Sequence, residues 1–209
     1  MGFVLPFVAF GIFLFVNWIA RIYEGTNEIN RMLSFGELMK KGFQTKEIDA
    51  KSISKKIPFE IFKKIIGIRK TTKDIIIENF KYLFFILSKY ATDSFGRALE
   101  HEQEIIMHLA DILAEIYVLE STYLRIQKLE KEMDDNEEYK MKKNISDLQF
   151  YESNIKVLAS SNLILDSLPQ RSKVLKYLIR IFTPKPEINP TITRRKIAQF
   201  FLNNSDFNM

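Results

Sequence analysis

The sequence predicts an all-α fold: an antiparallel helical bundle of the four-helix type, preceded by a hydrophobic N-terminal segment. Three observations carry that expectation. Seven Gly and six Pro are few for 209 residues, so long stretches lack the two residues that most often interrupt a helix. Ile105, Leu109, Ile112, Ile116, Leu119, Tyr123 and Ile126 stand alternately four and three apart, the period of a seam between packed antiparallel helices. No run of useful length alternates apolar and polar side chains as a half-buried strand would.

The first element is the leader "GFVLPFVAFGIFLFVNWIA", residues 2–20, whose one polar side chain is Asn17. As a helix it is about long enough for the roughly 30 Å apolar core of a bilayer. Arg21 behind it favours a cytoplasmic position for the rest of the chain, and membrane helices tolerate residues such as Pro6 and Gly11. A secretory signal fits poorly, because no positive n-region precedes the apolar run and no small-residue cleavage site comes after it. Three readings stand: a membrane anchor, a buried core helix, or a segment foreign to the ancestral fold, as a shifted reading frame would produce. The expected location depends on that choice, cytoplasmic or peripheral to a membrane, and membrane-anchored if the leader inserts.

Residues 27–39 can form a helix capped by Thr26 or Asn27. A basic linker containing Gly42, Ser52 and Ser54 leads to Pro58, which suits the first position of a short helix over 58–70. A longer helix is expected over 71–94, with Ile75, Ile76, Phe80, Leu83, Phe84 and Leu87 at helical spacing. The seam helix begins near residue 95. The polar stretch "EKEMDDNEEYKMKK", residues 130–143, turns the chain over into a helix spanning 144–167. Pro169 ends that helix, and another covers 170–182. "TPKPEINPT" is a proline-rich linker, and 193–202 form a small basic terminal helix. The chain thus divides into a leader at 1–20, a segment at 21–57 and a helical domain at 58–209.

Charge is segregated along this plan. Residues 40–73 hold eleven Lys/Arg against three acids, residues 100–152 six against fourteen, and residues 168–209 eight against two. Such runs are solvated helix faces first, and surfaces for membranes or anionic partners second. Base-stacking aromatics are not interleaved with the basic runs, so nucleic acid is not an expected partner. With no cysteine in the chain, disulfides, thiolate metal sites and thiol nucleophiles are excluded. His101, Glu104 and His108 share one helix face, but di-iron bundles use Glu-x-x-His, which the chain lacks. No metal site is expected. No phosphate loop or nucleophile elbow is present either.

One stretch says more. Residues 21–33 read "RIYEGTNEINRML". By local chemistry alone, Glu24-Gly25-Thr26 is a turn followed by a helix cap. As a pattern, the stretch resembles the C-terminal motif of the acyl-CoA dehydrogenases, in which R-I-[YF]-E-G-T-x-E/Q-I opens a helix of the last domain. The remainder, above all "EHEQEIIMHLADILAEIYVLES" at 100–121, resembles the helical extension of very-long-chain-type members. The resemblance implies FAD as cofactor, an acyl-CoA substrate, electron-transferring flavoprotein as acceptor and a homodimer. It makes Glu24 the catalytic base, which takes the α-proton of the acyl thioester while the β-hydrogen leaves as hydride to the flavin. Desolvation would make that carboxylate basic enough for the task. Gly25 lets the backbone approach the substrate, and Thr26, Asn27 and Glu28 match positions that touch the FAD at a helix N-terminus. On this reading 21–57 is the end of the catalytic domain plus a linker. The flavin- and thioester-holding domains precede it, so the chain alone completes no active site. The alternative is a non-catalytic helical interaction module, anchored to a membrane by its leader.

Overall fold

The computed structural model describes residues 32, 33, 35–38, 58, 72–132, 136–170, 172–184 and 187–203. Among them the chain forms five α-helices and no strand: α1 (Lys73–Phe95), α2 (Gln103–Glu132), α3 (Glu137–Ser167), α4 (Lys173–Phe182) and α5 (Pro190–Asn203). Residues 35–38 are also helical. The all-α expectation holds. No described helix is long and apolar enough to cross a membrane, and the leader at 2–20 lies outside the described residues.

α1 follows the expected apolar spacing. Phe80, Leu83 and Leu87 are fully buried and Phe84 nearly so, while Ile75 sits at the margin. Its end is set by Gly96, which adopts a positive φ of 56° as the C-cap while its N–H donates to the Thr92 carbonyl. L-residues rarely take that conformation. A 3-10 helix (Gly96–His101) comes next, so α2 begins at Gln103 rather than near residue 95. Along α2 the seam is as expected: Ile105, Leu109, Ile112, Ile116 and Leu119 are buried, and Tyr123 and Ile126 are half-buried. Each fully buried side chain of this size contributes roughly 1.5–3 kcal/mol of transfer free energy.

α3 departs from the sequence expectation by starting at Glu137, seven residues early. Asn136 caps it, its side-chain oxygen accepting from the Tyr139 N–H at 2.8 Å. Glu137 and Glu138 stand in the first turn, where carboxylates complement the helix dipole. Tyr139 and Met141 are buried, which draws this polar stretch into the bundle. Further along, Ser146, Ser153 and Ser160 recur every seven residues and are all buried. Their small side chains lie between Phe150, Val157 and Ile164 on the inward face of the helix. α2 and α3 form the most extensive pair. α1 packs on α2, α4 on α1 and α3, and α5 on α3.

α4 starts at Lys173 because the Ser172 hydroxyl accepts from the Leu175 N–H. It buries Leu175, Leu178, Ile179 and Phe182. α5 begins at Pro190, with the Asn189 side chain accepting from the N–H groups of Thr191 and Ile192. It buries none of its residues and is tied to α3 by an Arg194–Glu152 ion pair of 2.7 Å.

Candidate functional site

The residues matched to the family motif, Glu24, Gly25, Thr26, Asn27 and Glu28, lie outside the described residues. The motif's far end is described. Met32 is partly buried against the core, and Phe35 is only 4% exposed. The Phe35 ring meets Phe84 of α1 edge-on, centroids 6.2 Å apart, and Phe84 meets Phe85 the same way at 5.7 Å. Edge-to-face pairs of this kind add about 0.5–1.5 kcal/mol to the burial of the rings. Residues 35–38 are therefore fastened to the bundle through Phe35 and its aromatic neighbours.

Beside that cluster runs an apolar groove of about 240 Å³ between α1 and α2. Leu38, Phe84, Phe85, Leu113 and Ile116 line it, with Tyr117 and the Lys81–Glu120 ion pair (2.7 Å) at its edge. The groove is smaller than the roughly 300–1,000 Å³ of ordinary ligand pockets.

On the far side of α2 a polar network crosses to α3. The Ser153 hydroxyl donates to Glu115 Oε2 at 2.6 Å, and Lys156 Nζ donates to Glu115 Oε1 at 2.8 Å. Gln149 donates to the Ser153 hydroxyl at 3.0 Å. The Lys156 ammonium is held above its usual pKa, chiefly by its hydrogen bond to Glu115. Burial opposes this shift, and the charges of Glu115, Glu152 and Asp111 reinforce it. A second crossing joins Lys73 to Asp147 (2.6 Å) and to the Ser146 hydroxyl (3.0 Å), with Phe150 beneath the ammonium. These groups make the α1–α3 and α2–α3 contacts specific in register.

His101 and Glu104 are exposed and His108 is half-buried. His101 lies 3.6 Å from the Glu100 carboxylate. Among the described residues no group of three or more His, Asp or Glu could hold a metal ion. The aromatic fastening is the feature that sequence reading misses. The phenylalanine at 35 carries its signal, two residues beyond the motif.

Comparison with known proteins agrees with the helical fold. Residues 79–169 match the family model described as "Acyl-CoA dehydrogenase, C-terminal domain". A "Probable acyl-CoA dehydrogenase" from Bacillus subtilis (strain 168) is 30% identical over 117 residues, 53% of this chain and 19% of the relative. A solved acyl-CoA dehydrogenase from Bacillus anthracis, complexed with FAD, superposes with a TM-score of 0.79 at 25% identity. That match covers 91% of this chain and 33% of the solved one. The chain therefore spans about a fifth of one relative's length and a third of the other's.

Proposed function

We propose that this chain, which corresponds to a C-terminal portion of an acyl-CoA dehydrogenase, supplies the proton-abstracting carboxylate and one edge of the flavin site for α,β-dehydrogenation of an acyl-CoA. The observation that carries this reading is the fastening of the motif's end. Phe35, eleven residues after Glu24, packs edge-on against Phe84 in the buried core of the bundle. Catalytic groups need such support, because a base misplaced by about 1 Å can lose on the order of a hundredfold in rate.

In this reading Glu24 removes the α-proton of the thioester. A carboxylate shielded from water rises in pKa and becomes the better base for a weakly acidic C–H. Gly25 leaves room beside it for the thioester. FAD, which the solved relative contains, would be met by Thr26, Asn27 and Glu28. When bound it would accept the hydride from the β-carbon. The groove at α1–α2 is smaller than an ordinary ligand pocket, and in this reading most of the FAD site is supplied by the part of the longer relatives that this chain does not span. Electron-transferring flavoprotein as acceptor and a homodimeric enzyme complete the proposal.

The test uses a chimera in which residues 21–209 replace the matching C-terminal part of the Bacillus anthracis enzyme. The isolated chain should purify colourless, and the chimera should purify yellow and oxidise acyl-CoA. Stoichiometric FAD on the isolated chain would contradict the reading. So would a folded, flavin-loaded chimera without activity.

A further inference from the structure

α4 carries two parallel stripes on its outward side. Lys173, Lys176 and Arg180 form one, and Val174, Tyr177 and Ile181 form the other, both at i, i+3, i+7. At 3.6 residues per turn these stripes lie side by side along about 10 Å of helix. Val174 and Tyr177 are 61% and 55% exposed, and Ile181 is half-buried at the margin of the core. The three cationic side chains are exposed and have no hydrogen bond or ion pair with any described residue. α4 contains no acid. Some of the chain's other cations are paired across helices, as with Lys73–Asp147, Lys81–Glu120 and Arg194–Glu152.

We propose that this face docks an acidic amphipathic helix of a partner protein, whose apolar stripe meets Val174 and Tyr177 while its carboxylates meet Lys173, Lys176 and Arg180. Three features favour that occupant. A stripe of apolar side chains at i, i+3 and i+7 is how one helix reads another. Charge complementarity then sets its register and speeds its encounter. The geometry does not favour a bilayer. The cations border the apolar stripe on one side only, and three are fewer than the roughly four to eight of lipid-binding clusters. The opposite face of α4 is committed to the core through Leu175, Ile179 and Phe182, so the helix cannot roll to immerse itself. The surface is small, and the complex should be weak and transient.

The experiment pans the folded chain against a displayed library of random helical peptides. Enriched peptides should carry Asp or Glu beside an apolar i, i+3, i+7 stripe and should bind in the micromolar range. Lys173→Gln/Lys176→Gln/Arg180→Gln should weaken them about tenfold or more and flatten the salt dependence. Val174→Ser/Tyr177→Ser should weaken them similarly and leave the salt dependence in place. These positions are exposed, so both variants should keep the parent's melting curve. Enrichment without an acidic bias, or equal binding by all three proteins, overturns the proposal. So does α4-dependent sedimentation with phosphatidylserine vesicles without peptide enrichment, which would assign the face to a bilayer. Peptide binding that disappears in the chimera would assign it to a contact within the longer enzyme, and overturns it too.

Discussion

Replacing Phe35 by Ala should release the motif's end from the bundle while leaving the bundle standing. Phe35 is 4% exposed and lies edge-on to Phe84. Burying such a ring is worth roughly 2–3 kcal/mol, and the edge-to-face contact adds about 0.5–1.5 kcal/mol. Truncation should therefore cost about 3–4 kcal/mol, within the usual range for Phe→Ala in a core. At 1.4 kcal/mol per decade this is about two to three orders of magnitude in the local opening equilibrium, limited by the segment's own stability. Hydrogen exchange followed by mass spectrometry reads it directly. Amides of residues 35–38 should exchange at least a hundredfold faster in Phe35→Ala, and those around Leu83 and Leu87 should change little. Phe35→Leu should show a much smaller effect. Unchanged exchange at 35–38 would refute the fastening. An equal loss of protection throughout α1 would show that Phe35 is part of the global core and holds no separable segment.

Gly96→Ala should cost about 1–2 kcal/mol in urea unfolding, because φ at this position is +56° while the space around it is open. A cost near zero would mean that α1 ends another way. Asn136→Ala should lose about 1 kcal/mol with its cap on Tyr139, and Asn136→Asp should keep most of it. Ser153→Leu should be worse than either, since a buried position facing α2 has no room for three more carbons. A melting temperature equal to wild type would deny the close α2–α3 approach. For Lys156 the folded pKa lies above 10.5, so its contribution is complete below about pH 10.5 and is lost as pH rises through the folded value. The side chain is 59% exposed, so the effect should be small. It should appear as a steeper alkaline fall in melting temperature for wild type than for Glu115→Gln.

Much of the fold is legible in the sequence because α1 and α2 advertise themselves. Their buried positions are Ile, Leu and Phe at helical spacing, and hydrophobic burial is what sets their orientation. α3 hides its inward face. Its buried positions include Ser146, Ser153, Ser160 and Asn154, so hydropathy shows little periodicity there. The early start at Glu137 escapes notice because its charges suggest a turn, although Asn136 before two glutamates is a cap signature. The 3-10 interruption depends on one backbone angle at Gly96, which apolar spacing does not encode. "RIYEGTNEINRML" and the helical remainder resemble the family whose C-terminal domain model matches residues 79–169, while the packing of residues 35–38 on the bundle rests on Phe35 and Phe84, 49 positions apart. Their contact is a tertiary fact that no local pattern announces.

The central claim is that Glu24 is the base of a dehydrogenation site supported by this bundle. The most direct measurement is the steady-state oxidation of acyl-CoA by the chimera and by its Glu24→Gln variant, with flavin content matched. Glutamine keeps the shape and removes the base, so kcat should fall by about 10²–10⁴ while FAD remains bound and KM changes little. Turnover within a fewfold of the parent would place the base elsewhere and leave Glu24 as a turn residue.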